Sequence, residues 1–101
     1  MDSNKLKKII YSILKEITKG DFVPDASNYE INEDDFVKII ELMIDEGYLN
    51  RKYARVTILD SVEIENTPNT VTMKGINFLE ENSTWNKFYK GIKEFKSFLT
   101  I

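Results

Sequence analysis

The chain has 101 residues, of which 42% are apolar and 31% charged, and its 17 acidic and 14 basic residues give a formal net charge of −3. This composition is typical of one soluble globular domain, and no apolar run approaches the roughly 20 residues of a membrane span. Because Cys and His are both absent, disulfides, thiolate zinc sites, cysteine nucleophiles and histidine-based acid–base catalysis are excluded.

These features predict a single domain over residues 1–101 that is cytoplasmic and has no contact with membranes. The N-terminus starts an amphipathic pattern directly, without a separate apolar segment and cleavage site, so no signal peptide is expected. Carboxylate, lysine and tyrosine chemistry remains, but such groups catalyse only in a tuned pocket. The acids here fall on solvated faces of predicted helices, so we expect no enzyme, no cofactor and no metal site.

The first predicted helix covers Asn4–Lys19, with Ser3 or Asn4 as its cap and Gly20 as its end. Its apolar residues recur at the spacing of one helix face. They are Leu6, Ile9, Ile10, Ile13, Leu14 and Ile17. Four lysines lie together beside this stripe, and they form either a solvated face or an edge that contacts phosphates. They are Lys5, Lys8, Lys15 and Lys19.

The next segment, Asp21–Ile31, is predicted to be irregular and weakly ordered, because Pro24 disfavours helix at Val23. A helix is then predicted over Glu33–Glu46. Asn32 is its cap, and acids fill its first turn, where they complement the helix dipole. The buried stripe contains Phe36, Ile39, Ile40, Met43 and Ile44, and Gly47 is the predicted stop.

Two strands are predicted after this helix, over Tyr48–Thr57 and Ile58–Glu65, with Val71 closing the sheet after a Thr-Pro-Asn turn. A basic cluster with an interleaved aromatic residue lies at the start of the strand region. It consists of Arg51, Lys52, Tyr53 and Arg55.

Two further helices are predicted, one over Met73–Glu81 with Thr72 as its cap and one over Trp85–Leu99. The last helix is expected to bury a stripe of Trp85, Phe88, Tyr89, Ile92, Phe95 and Leu99. Its opposite side carries Lys87, Lys90, Lys93 and Lys96. Such an aromatic stripe is a core face, or a surface through which two copies form a weak homodimer.

The order of these elements, with a strand that passes into a helix at residues 69–82, predicts an α+β winged helix-turn-helix domain. It has a small antiparallel wing sheet and an added C-terminal helix. Three segments, KIIYSILKEI, EDDFVKIIELMIDEGYL and VTMKGINFLEENSTWNKFYKGIKEFKSFL, resemble the YjcQ-like family of small proteins from low-GC Gram-positive bacteria and their prophages. The resemblance implies a winged-helix fold and carries over no catalytic or ligand-binding residues.

In a DNA-binding winged helix, the helix over Glu33–Glu46 would place its outward face in the major groove. That face presents Asp34, Lys38, Glu41 and Asp45, and the helix holds six acids and one lysine, a formal charge of −5. Phosphates repel such a helix, because affinity for duplex DNA comes largely from Lys and Arg. The face also has no Arg, Asn or Gln to read base edges.

Two functions therefore stay open. In the favoured one, the chain is a non-enzymatic interaction module, a phage- or prophage-associated regulator or accessory protein whose outward helix face contacts an unknown protein partner. In the alternative, it is a transcriptional regulator that contacts DNA mainly through the wing. The candidate DNA contacts are Arg51, Lys52, Tyr53 and Arg55. We expect a monomer or a weak homodimer formed through the last helix.

Overall fold

Residues 1–20 and 22–101 are described by the structure, a computed structural model with an α+β architecture. The four α-helices in these residues are α1 (Ser3–Lys19), α2 (Glu33–Asp45), α3 (Met73–Glu81) and α4 (Phe95–Leu99). Two antiparallel strands, β1 (Ala54–Val56) and β2 (Val62–Ile64), form a hairpin between α2 and α3. Short 3₁₀ helices cover Ala26–Tyr29, Ser83–Lys87 and Ile92–Glu94. None of the helices in this part of the chain has the length and apolar content needed to span a bilayer.

The first helix, α1, lies at the centre of the fold, where α2, α3 and α4 all contact it. Asp2, rather than the predicted Ser3 or Asn4, caps the helix, and its Oδ1 accepts a hydrogen bond from Lys5 N at 2.8 Å. The predicted end at Gly20 is confirmed, because this residue has the left-handed φ of 79° that favours glycine.

The segment before α2 contains a 3₁₀ helix, Ala26–Tyr29, whose first and last residues are buried. Tyr29 is 3% exposed, and its ring centroid lies 4.9 Å from that of Phe95 in α4. The sequence predicted irregular, weakly ordered chain over Asp21–Ile31. Asp21 lies outside the described residues, and the prediction missed that the rest of the segment contributes an aromatic side chain to the core.

The second helix, α2, has the cap and the buried face that its sequence predicts. Asn32 Oδ1 accepts a hydrogen bond from Asp35 N at 2.7 Å, and Gly47 follows the helix with a φ of 85°. Ile40 and Met43 are fully buried. The side of α2 that faces water is therefore set by this core contact.

The hairpin is shorter than predicted, because β1 and β2 pair over three residues each and the strands predicted over Tyr48–Thr57 and Ile58–Glu65 are too long. The main-chain oxygen of Asn50 closes a turn ahead of β1. Leu49 and Val71 form an isolated antiparallel bridge, which agrees with the predicted closing role of Val71. The paired residues are Ala54 with Ile64, Arg55 with Glu63 and Val56 with Val62.

The third helix, α3, has the predicted bounds and the predicted cap. Thr72 Oγ1 accepts a hydrogen bond from Gly75 N at 3.0 Å. A Cβ atom at Gly75 would lie 2.6 Å from the main-chain oxygen of Tyr48 and 2.7 Å from Val71 Cγ1. Glycine therefore lets α3 approach the chain that leaves α2.

The predicted continuous helix over Trp85–Leu99 is wrong. The 3₁₀ helix Ser83–Lys87 gives way to irregular chain, Gly91 takes a φ of 118°, and α-helix resumes only at α4. An α-helix cannot pass through that backbone angle. The predicted aromatic stripe is broken as well, since Tyr89 is buried but Phe88 is 48% exposed.

The packing of α4 on α1 uses Phe98 and Lys8, neither of which the sequence placed in the core. Phe98 is fully buried, with its ring centroid 5.7 Å from that of Tyr11. Lys8 is 1% exposed, and its Nζ donates hydrogen bonds to the main-chain oxygens of Leu99 at 3.2 Å and Ile101 at 2.9 Å. The prediction that Lys8 belongs to an exposed lysine edge is wrong.

Candidate functional site

The outward face of α2 is exposed as predicted. Asp34, Lys38, Glu41 and Asp45 are all solvent-exposed, and they lie opposite the buried side that contains Ile40. Three carboxylates and one ammonium group give this face a net negative charge. Its role as a contact surface for a protein stays a prediction.

The arginines that were predicted to contact DNA form ion pairs with neighbouring acids. Arg51 Nη2 lies 3.1 Å from Asp45 Oδ1, and Arg55 Nε lies 2.9 Å from Glu63 Oε1. Exposed pairs of this kind contribute only about 0–1 kcal/mol to stability, so their main effect is to balance the arginine charge locally. Lys52 instead has its Nζ 5.6 Å from the ring centroid of Tyr53.

The two predicted sites, treated separately in the sequence, meet in one groove. Glu41 and Asp45 of α2 face Arg51 and Arg55 of the hairpin region across a groove of about 260 Å³. Its remaining lining residues are Ile44, Ala54 and Val56. The groove therefore has an apolar floor and charges of both signs along its rim. Asp34 and Lys38 do not line it.

The tip of the hairpin, residues 57–61, presents two aliphatic side chains to water. Ile58 is 98% exposed and Leu59 is 84% exposed. Main-chain hydrogen bonds close the tip, from Thr57 N to Ser61 O at 2.8 Å and from Asp60 N to Thr57 O at 3.0 Å. The shape of the tip thus does not depend on the two aliphatic side chains. The predicted strand over Ile58–Glu65 includes both of them, so the sequence did not reveal their exposure.

A second groove, of about 500 Å³, lies between the hairpin and the segment that precedes α2. Carboxylates of Asp25, Glu33 and Asp60 line it together with the apolar side chains of Val23 and Phe36. Within residues 1–20 and 22–101, no group of three or more acids has a geometry that could hold a metal ion. The hairpin therefore projects between two grooves that both carry carboxylates.

A series of hydrogen-bonded polar side chains lies inside the protein and was not predicted. Tyr29 Oη donates to Ser12 Oγ at 3.0 Å, Ser12 Oγ lies 2.8 Å from Tyr89 Oη, and Tyr89 Oη donates to Glu16 Oε2 at 2.5 Å. Lys19 Nζ lies 3.6 Å from the same carboxylate oxygen. Burial raises the pKa of both tyrosine hydroxyls, and the hydrogen bond to Glu16 raises the pKa of Tyr89 further.

This series of hydrogen bonds joins α1 to the 3₁₀ helix Ala26–Tyr29 and to the C-terminal region. Ser12 is fully buried and Glu16 is 3% exposed, so the groups have no open path to a substrate. The arrangement fixes the C-terminal region on α1 through satisfied buried hydrogen bonds. Ser12 and Glu16 are polar residues within the apolar pattern of α1. This was the sequence signal that could have revealed the buried hydrogen bonds.

Comparison with known proteins finds similarity along nearly the whole chain. The family described as YjcQ protein matches residues 11–98. The protein named "Uncharacterized protein YjcQ" from Bacillus subtilis (strain 168) is 33% identical over 99 residues, which make up 98% of this chain and 99% of that relative. No solved structure matches the chain.

Proposed function

The chain belongs to the YjcQ family, as the three segments that resemble this family predicted, and we propose that it is a cytoplasmic, non-enzymatic module that binds a protein partner. The proposal includes a winged-helix architecture in which α2 takes the place of the recognition helix and the β1–β2 hairpin is the wing. The order of the elements and the bridge between Leu49 and Val71 support it. A role as a regulator or accessory protein of a bacterium or prophage is part of the same proposal.

The observation that carries the proposal is the exposed aliphatic pair at the hairpin tip. Burying an Ile or Leu side chain stabilises an assembly by about 1.5–3 kcal/mol, so covering Ile58 and Leu59 together contributes about 3–6 kcal/mol. An aliphatic side chain can act as an anchor when it enters a pocket on a partner. The carboxylates of Glu41, Asp45 and Asp60 beside the hairpin favour a partner whose apolar recess is rimmed by cations.

DNA is a poorer occupant of this surface. Proteins that wedge aliphatic side chains between base pairs use Arg and Lys to hold the flanking phosphates, whereas the aliphatic pair here is followed by Asp60. Arg51 and Arg55 already pair with carboxylates, and the outward face of α2 is acidic. Binding of DNA through the wing is therefore the competing hypothesis that the experiments below test.

The test is capture of the partner from lysate of the source cells on immobilised protein. We expect Ile58→Ser with Leu59→Ser to abolish capture. Met73→Ser is the matched control, because Met73 is 73% exposed on α3, away from the tip in the sequence, and it should leave capture unchanged. Equal capture by the tip variant and the wild type would refute the role of the tip.

A titration against random duplex DNA at low salt separates the two functions. We expect the wild type to show at most weak nonspecific binding that is unchanged in Arg51→Ala with Arg55→Ala, and we expect stronger nonspecific binding by Asp34→Lys with Glu41→Lys, because the reversal removes repulsion from phosphates. The same reversal should weaken capture of the protein partner. Tight duplex binding that disappears in Arg51→Ala with Arg55→Ala would replace the proposal with the DNA-binding alternative.

A further inference from the structure

The C-terminal region is positively charged although the chain as a whole is acidic. Residues 83–101 contain four lysines and one glutamate, a formal charge of +3, within a chain of net charge −3. Lys96 Nζ lies 3.3 Å from Glu30 Oε1. Lys87, Lys90 and Lys93 have no ion-pair partner among the residues that the structure describes.

An exposed aromatic ring lies among these lysines because the predicted last helix is broken. Phe88 follows the 3₁₀ helix and precedes Gly91, and the break leaves its side chain 48% exposed. The ring lines a groove of about 320 Å³ together with Lys87 and Lys90. The other lining residues are Glu94, Ser97 and Ile101.

A second groove runs along the same segment of chain. It has a volume of about 210 Å³, and Lys5 of α1 lines it together with Lys93, Lys96 and the Glu30 that pairs with Lys96. The 3₁₀ helix Ile92–Glu94 and α4 contribute residues to both grooves. Lysines therefore extend from the aromatic ring along this segment to α1, with Glu94 in the first groove and Glu30, paired with Lys96, in the second.

We propose that the C-terminal basic surface, formed by Lys87, Phe88, Lys90 and Lys93, binds single-stranded nucleic acid. Proteins that bind single strands without sequence preference combine a cationic groove for the phosphates with aromatic rings on which bases stack. A single strand fits better than a duplex, because a base must leave its paired stack to lie on Phe88. None of the residues that line these two grooves belongs to the hairpin tip, so the two proposed contacts use different residues.

An anionic membrane is the main competitor for a surface that combines lysines with an aromatic residue. Membrane-binding surfaces insert protruding apolar side chains, whereas Phe88 lies in the wall of a groove. The groove shape and the unpaired lysines therefore favour a strand of nucleic acid. Vesicles of anionic phospholipid serve as the test of this competitor.

The experiment is a fluorescence-anisotropy titration of labelled oligothymidylate and oligouridylate at low salt. Both probes should bind, with a log–log salt slope of about −2 for three phosphate contacts on a single strand. Phe88→Ala should weaken binding by roughly 5- to 150-fold, the loss of one stacked base, whereas Phe88→Tyr should retain it. Lys87→Ala with Lys90→Ala should weaken binding and flatten the salt slope.

The matched control is Lys7→Ala with Lys74→Ala, which removes two exposed lysines of α1 and α3 that line neither groove and should leave binding unchanged. Circular dichroism checks that each variant is folded. Failure of the wild type to bind either probe at low salt would overturn the inference, as would equal affinities of Phe88→Ala and wild type. Binding to anionic vesicles but not to the probes would overturn it in favour of a membrane. Capture of the protein partner by Phe88→Ala should be normal, so this test is independent of the one for the hairpin tip.

Discussion

Replacing Gly75 by alanine has two opposing effects on the free energy of unfolding. Alanine is the better helix former, by about 0.8–1 kcal/mol in a helix interior. The structure places the new methyl group 2.6 Å from the main-chain oxygen of Tyr48 and 2.7 Å from Val71 Cγ1. Carbon atoms attract each other best at about 3.5–4.0 Å, so both contacts are strongly repulsive.

Neither neighbour can move freely away from the methyl group. The oxygen of Tyr48 accepts a hydrogen bond from Thr72 N at 3.1 Å, and the side chain of Val71 is β-branched and restricted at χ1. Overpacking in such a site costs about 1–3 kcal/mol, occasionally more. Because Gly75 lies in the first turn of α3, we expect only part of the propensity gain, and a net loss of about 1–2 kcal/mol in the free energy of unfolding.

Urea denaturation followed by circular dichroism measures this loss, and thermal unfolding should show a melting temperature lower by roughly 4–16 °C. Asn77→Ala is the matched control, because Asn77 is exposed in the same helix and gains only propensity, by at most about 0.7 kcal/mol. If Gly75→Ala is as stable as the wild type, or more stable, then α3 does not approach the chain after α2 as closely as described.

Three further predictions concern the core. Raising the pH above about 10 should destabilise the fold by up to about 2.7 kcal/mol per pH unit, because Tyr29 and Tyr89 keep their protons when folded and the unfolded chain binds fewer. Stability from urea denaturation that stays constant between neutral pH and pH values well above 10 would contradict this. Lys8→Met should cost about 1–3 kcal/mol by leaving main-chain oxygens without a donor, whereas exposed Lys7→Met should stay within about 0.5 kcal/mol; equal urea midpoints for the two variants would argue against the amine contacts. Ile40→Asp should unfold the domain by burying an unpaired charge, and a cooperative unfolding transition in this variant would show that the core is misplaced.

Local sequence features predicted α2 and α3 well. The caps Asn32 and Thr72 and the stop at Gly47 act within a few residues of the helices that they bound, so a single sequence window contains them. Exposure of Asp34 and Glu41 then follows from which side of α2 is apolar. For the same reason the acidic outward face could be predicted without any knowledge of the tertiary structure.

Features that depend on distant partners could not be predicted in this way. The apolar spacing around Phe88 is compatible with a continuous helix, and the break follows from the geometry at Gly91 and from the hydrogen bonds that hold Tyr89 on α1. The sequence groups Lys8 with the other lysines beside the apolar stripe of α1, yet the acceptors of its ammonium group lie 91 and 93 residues away in the chain. The exposure of Ile58 depends on how early the hairpin turns, which β-propensity does not determine.

The placement of α1 beneath the C-terminal region affects how the protein folds during synthesis. Ser12 and its partner Tyr89 are separated by 77 residues, which a ribosome adds in about 4–15 s at its usual speed. Throughout this interval, the side of α1 that later packs against Tyr89 and Phe98 lacks these packing partners. This side of α1 therefore stays open to nonspecific apolar contacts until the C-terminal region has been made, and slower translation prolongs that exposure.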